Sequence, residues 1–184
     1  FYAPYVTFLR TTGDESRAIA VAEEAQEAYD NARPRHHLAE LHKGRSSERY
    51  EHHVARRFIE TRDWSCYETL KERSSPEEWN ERVIQFEDEL TTEEKIHMLI
   101  ELYQREDRLD EAFDLVIERA QTNETTRSIG SYNKRGLPIL RKYREELGDY
   151  DPETYYETYE ELLGPYAAKK TGRGHYQTIV DHLE

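Results

Sequence analysis

Five histidines crowd one stretch of the chain: His36, His37, His42, His52 and His53 fall within eighteen positions. Imidazole is a common zinc ligand, so their spacing is the first chemistry to test. Two ligands on one helix face must stand three or four residues apart. No pair within one helix meets that condition, and His37 to His42 is five. A ligand set would have to assemble between helices. Solvated or internally satisfied histidines are the expectation, and no residue is assigned to a metal.

The same stretch is basic. Residues 33–57 hold seven Lys or Arg against Glu40, Glu48 and Glu51. On a helix, Arg49, His52, His53, Arg56 and Arg57 form a face opposite Val54, Ala55 and Phe58. A basic face in an acidic protein can meet nucleic acid or an acidic partner. It can equally pair with acidic helices of its own fold, the expected arrangement. These five residues are the candidate partner-binding or nucleic-acid-binding positions.

Other chemistry fails on spacing or order. Residues 145–161 carry eight acids and no base. Paired carboxylates can do acid–base work or cleave glycosides. Here they alternate with tyrosines along a helix, which reads as a solvated face. Tyr155, Tyr156 and Tyr159 read as core. Cys66 lies beside Trp64 and Tyr67 without an evident His–Asp arrangement, so a buried thiol is expected. The run Lys169-Lys170-Thr171-Gly172-Arg173-Gly174 has the wrong order for a phosphate-binding loop, and no strand precedes it. Neither a catalytic residue nor a cofactor site is expected.

Composition bounds the rest. The chain has 184 residues, a net charge of −13, 36% hydrophobic and 35% charged residues. A single cysteine excludes an intrachain disulfide framework and any multi-cysteine metal site. No apolar run is long enough to span a bilayer, so no membrane partner is expected and the expected location is cytoplasmic. The acidic balance opposes broad nucleic-acid binding. With 29 Glu, 10 Asp, 19 Arg and 7 Lys, the charge bias partly reflects helix content, and also suits a salt-adapted source. The first residue is Phe1, without a signal peptide after it, which reads as a fragment of a longer protein.

The elements that carry these residues read as helices throughout. The apolar spacing predicts helices over residues 1–10, 15–32, 36–43, 47–61, 64–73 and a span from Pro76 through Leu90. Further helices are predicted from about Thr92, over 110–121 and 137–147, from Pro152 to a break at Gly164-Pro165, and over 174–183. Residues 123–136 read as a poor helix or a loop. Pro34 is expected to end the second helix, and Ser46 or Ser47 to cap the one after Gly44. The expected inward residues include Tyr29, Tyr155, Tyr156, Tyr159, Tyr176, Ile179, Val180 and Leu183. Strand alternation is absent. Low apolar content with strong periodicity fits an all-α array of antiparallel helical hairpins with narrow cores, in one domain over residues 1–184.

One unit is better defined. In residues 98–116, Leu99, Tyr103, the turn Arg108-Leu109-Asp110 and Glu111-Ala112 resemble a tetratricopeptide-type repeat. Ile100 departs from it, because a small residue is usual there. The order of segments, with Trp79 to Leu90 before and Leu137 to Tyr176 after, resembles the C-terminal helical region of prokaryotic SWIM-type zinc-finger proteins. That family's Cys-x-Cys and Cys-x-His module is absent from this chain. The resemblance implies a non-catalytic interaction scaffold whose concave face holds a peptide or helix of a protein partner. A nucleic-acid-associated module using residues 33–57 is the other reading. Oligomeric state is open.

Overall fold

The computed structural model describes residues 2–29, 32–43, 47–125, 136–169, 176–177 and 179–180. It contains eleven helical segments and no strand among the described residues. They form two compact units, Phe1–Lys95 and Ile96–Glu184. No helix among the described residues is long and apolar enough to cross a membrane.

The first unit contains α1 (Tyr2–Thr11), α2 (Glu15–Tyr29), α3 (Ala32–His42), α4 (Ser47–Thr61), α5 (Trp64–Arg73) and α6 (Pro76–Thr92). Each helix from α1 to α4 packs on the next, α4 packs on α5, and α4 also meets α6. Ala18 and Ala22 keep the α2 face small, and they pack with Val6, Leu9, Leu38 and Leu41. Around α4 the core turns aromatic. Phe58 is fully buried, with ring centroids 4.9 Å from Trp64, 5.0 Å from Phe86 and 5.8 Å from Tyr67. Trp79 closes on Tyr67 at 5.0 Å, and the Lys71 ammonium lies 5.5 Å from both of those rings. Such edge-to-face pairs add about 0.5–1.5 kcal/mol beyond burial.

The second unit contains α7 (Ile96–Arg105), α8 (Leu109–Thr125), α9 (Leu137–Lys142), α10 (Arg144–Leu147) and α11 (Pro152–Lys169). α8 packs on α7, α9, α10 and α11, and buries Ala112, Phe113, Val116 and Ala120 against Leu140, Leu147 and Tyr155.

Helix ends follow local chemistry. Asp63 caps α5 by accepting from the Ser65 amide, and Ser75 with Glu78 forms a reciprocal capping box on α6. α1, α6 and α7 end in the same motif, two backbone bonds closing on a left-handed residue: Gly13 (φ 83°), Glu94 (φ 55°) and Asp107 (φ 59°). At α6 the bonds run from Lys95 N to Leu90 O (2.8 Å) and from Glu94 N to Thr91 O (3.1 Å). Only glycine occupies this region without a Cβ penalty. Glu94→Gly should therefore raise stability by about 0.5–1 kcal/mol, the relief of strain less the entropy glycine adds to the unfolded chain. Asp107→Gly should gain less, because Asp tolerates the region better. Denaturant titration checks both.

Several boundaries and faces differ from the sequence reading. Pro34 sits in the first turn of α3, where its missing N–H costs nothing, and so begins a helix that was expected to be separated from Ala32. Thr92 ends α6, and α7 begins at Ile96. The expected helix over 137–147 breaks at Tyr143, which ends α9 and precedes α10. α11 continues through Gly164-Pro165 to Lys169. Both residues are exposed, as is Glu161, whose carbonyl Pro165 leaves without its helical donor. Four expected inward residues are exposed: Tyr29 (64%), Tyr156 (52%), Tyr176 (56%) and Val180 (42%). Tyr156 stands one residue from Tyr155, about 100° around the helix from the buried line Tyr155, Thr158 and Tyr159. The expected caps at Gly44 and Ser46, the run 170–174 and Leu183 lie outside the described residues.

Candidate functional site

α4 carries every candidate residue, and its amphipathic pattern sets where they go. Val54, Phe58 and Ile59 are buried, which places the basic residues along the flanks and outer face. Arg56 pairs with Glu89 on α6, and its second nitrogen is 3.5 Å from Glu93 Oε1. Arg57 donates to Asp63 Oδ2 at 2.7 Å and meets His36 Nδ1 at 3.0 Å. Arg49 lies 3.5 Å from Glu23 on α2, and its side chain is 63% exposed. His52 is exposed, with its ring edge-on to His53 at 5.4 Å. Thus Arg56 and Arg57 turn to acids of their own unit, while Arg49 and His52 remain open to solvent.

Acids and bases alternate along the rest of this surface. Glu51 accepts from Arg82 on α6 at 2.9 Å, with Arg73 at 3.8 Å. Arg35, only 8% exposed, has its Nε 2.6 Å from Glu60. Lys95 donates to the Ile59 carbonyl at 2.6 Å and pairs with Glu93 at 2.7 Å. An exposed pair of this kind contributes about 0–1 kcal/mol, whereas loss of one partner at a buried pair costs more. Hydrogen bonds from Ser65, helped by Arg57, hold the Asp63 carboxyl below its ordinary range.

The histidines of this stretch pack against one another and against other rings. His53 stacks on His42 with centroids 5.6 Å apart and planes within 11°. Burial, then its histidine and arginine neighbours, push His53 down to about 4. Burial and Arg49 also lower His42, against Glu23. Burial, His36 and Arg10 lower His37, against Glu40. Among the described residues, no group of three or more His, Cys, Asp or Glu is placed to hold a metal ion. The stack was missed in the sequence because its members are eleven positions apart on two helices. The one local hint is that His42 follows Leu41 and His53 precedes Val54, both buried.

The remaining chemistry-bearing residues are placed as follows. Cys66 is buried, and burial pushes its thiol up to about 11, well away from a nucleophilic thiolate at neutral pH. In the second unit Asp151 caps α11 through Thr154, while Glu145, Glu146, Glu153, Glu157, Glu160 and Glu161 are exposed. Tyr155 is fully buried, donates to the Leu140 carbonyl, and has its hydroxyl pushed up by burial. His97 Nδ1 lies 3.0 Å from the Tyr143 hydroxyl. In the repeat-like segment, Leu99, Ile100 and Ala112 are buried, and Tyr103 is half-buried under the Arg108 guanidinium at 4.7 Å. Arg108 Nε also lies 2.7 Å from Glu111, across the turn into α8.

The chain matches no protein-family model, no curated protein and no solved structure.

Proposed function

We propose that this chain is a non-catalytic protein–protein interaction scaffold, the helical-repeat part of a larger SWIM-type zinc-finger protein. The observation that carries the reading is the α7–α8 hairpin. Its three-residue turn at 106–108 joins two mutually packed helices. Leu99, Tyr103, Arg108, Glu111 and Ala112 hold positions that repeats of the tetratricopeptide type use to fasten such a pair. In this reading Ile100 fills the place of a small residue. It is fully buried within its cluster and fills space there.

Surface chemistry supports a protein partner over nucleic acid. Arg56 and Arg57, two of the five residues that make the basic face of α4, are engaged by carboxylates of the same unit. A phosphate backbone would have to displace those acids while approaching a chain of net charge −13. The scaffold offers a partner exposed aromatic groups instead, with Tyr5 at 39% and Phe8 at 57% on α1. Aromatic side chains are enriched in interface cores.

Affinity capture from a cell extract, with and without nuclease, tests the proposal. The expected result is a protein partner retained after nuclease treatment. Loss of all captured protein on nuclease treatment would contradict it.

A further inference from the structure

The seam between α3 and α4 holds a pair of groups that the scaffold reading does not use. His42 is 4% exposed, and His53 is half-buried. Their rings stack, and His42 Nε2 and His53 Nδ1 are both shut off from solvent with no hydrogen-bond partner among the described residues. A neutral imidazole can place its unprotonated nitrogen there at modest cost. An imidazolium must place an N–H donor and a positive charge there, with no acceptor.

The surrounding charges sharpen the conflict. Glu23 of α2 faces His42, and Arg49 of α4 faces both rings. Arg35 of α3 and His52 of α4 also face His53. Glu23 is the acidic member of that group, and it already stands 3.5 Å from Arg49. The charges that α5, α6 and the residue capping α6 bring to α4 go elsewhere: Arg73 and Arg82 to Glu51, Glu89 and Glu93 to Arg56. A proton on His53 therefore meets only basic neighbours, and one on His42 meets Arg49 against Glu23.

The location gives this a mechanical consequence. The apolar cluster that joins α1, α2 and α3 has no buried member from α4 among the described residues. Polar pairs also bridge α3 and α4: Arg35 with Glu60, His36 with Arg57, and His42 with His53. We propose that the His42–His53 stack is an acid-sensitive latch: neutral rings hold α3 on α4, and protonation loosens α1–α3 from α4 while the aromatic packing of α4, α5 and α6 persists. The pH window follows from linkage. Both rings titrate below the ordinary histidine value of 6.5, His53 near 4, because burial disfavours the charged form. A depressed folded-state value means the unfolded chain binds the proton first. The latch contribution is therefore complete above 6.5 and is lost as pH falls from 6.5 toward 4.

Amide hydrogen exchange on the full chain at pH 7.5 and 5.0, corrected for the intrinsic rate, tests the latch. Protection of α1–α3 amides should fall roughly tenfold or more at pH 5.0, with a smaller change in α5 and α6. The double variant His42→Phe/His53→Phe should lose markedly less α1–α3 protection between the two pH values than the wild type, with only His37 of the lowered histidines remaining. Equal protection of α1–α3 in the wild type at both pH values would overturn the proposal. So would equal losses in α1–α3 and α5–α6, or acid losses in the variant that match the wild type. Histidine NMR titration of the wild type keeps the question open to test where the variant does not fold. Titration of His42 and His53 below the ordinary value, in step with α1–α3 exchange, supports the latch; titration of both at the ordinary value overturns it.

Discussion

Replacing Phe58 by Ala should lower the stability of the Phe1–Lys95 unit by about 3–5 kcal/mol. Phe58 has no solvent exposure, and its ring meets Trp64, Tyr67 and Phe86 within 4.9–5.8 Å. Truncation removes the transfer free energy of the ring and leaves a cavity between three helices. The neighbouring aromatics are held edge-to-face by one another and by Lys71, so they collapse poorly into the space. A loss of this size is a large fraction of the roughly 5–15 kcal/mol that holds a domain together. Emission reports it directly, because both tryptophans of the chain, Trp64 and Trp79, lie in this unit. The control is Phe8→Ala, whose side chain is 57% exposed and whose loss should stay within about 0.5 kcal/mol. A Phe58→Ala loss under about 1 kcal/mol would mean that the aromatic packing around α4 is not the core of the unit.

In the second unit the most sensitive small change is Gly136→Ala, with an expected loss of about 1–3 kcal/mol. The backbone there is ordinary right-handed helix, with φ −80° and ψ −37°, so conformation does not demand glycine. Space does. A Cβ at Gly136 would stand 2.3 Å from the Ala120 carbonyl oxygen and 2.8 Å from Leu162 Cδ1. Leu162 can change rotamer, but the carbonyl belongs to the α8 backbone and moves only with its helix. The start of α9 must then back away from α8, opening the packing of Leu137 and Leu140 on Ala120 and Val116. The entropy gained by replacing glycine in the unfolded chain, about 0.4–1 kcal/mol, offsets part of this. Far-UV circular dichroism in denaturant measures the total, and exchange of α8 and α9 amides locates it. Unchanged or increased stability would contradict the close approach of these two helices.

What the sequence disclosed was local, and what it concealed was mostly tertiary. The bounds of α4 and α5 were legible because Asp63 caps one and a clear apolar stripe defines the other. The Ser75-Pro76 start of α6 was legible for the same kind of reason. Proline misled twice, since Pro34 and Pro165 both lie inside helices, one in a first turn and one on a wet face. Tyr29 and Tyr156 misled because tyrosine suits either side of an interface, and only neighbouring helices decide which. The five candidate residues of α4 were legible as one helix surface. Their partners were not, because Glu89 on α6 and Glu93 just past its end lie more than thirty positions away. The His42–His53 stack and the contact at Gly136 depend on helix-to-helix distances that spacing along the chain does not encode.

The most direct test of the proposed inward neutralisation of the α4 basic face is fluorescence anisotropy of labelled single- and double-stranded nucleic acid, titrated with the chain at low and moderate salt. An internally neutralised face should give no saturable rise across the roughly 10⁻⁶–10⁻⁴ M range of non-specific binding. A saturable, salt-dependent rise that Arg49→Glu abolishes would contradict it.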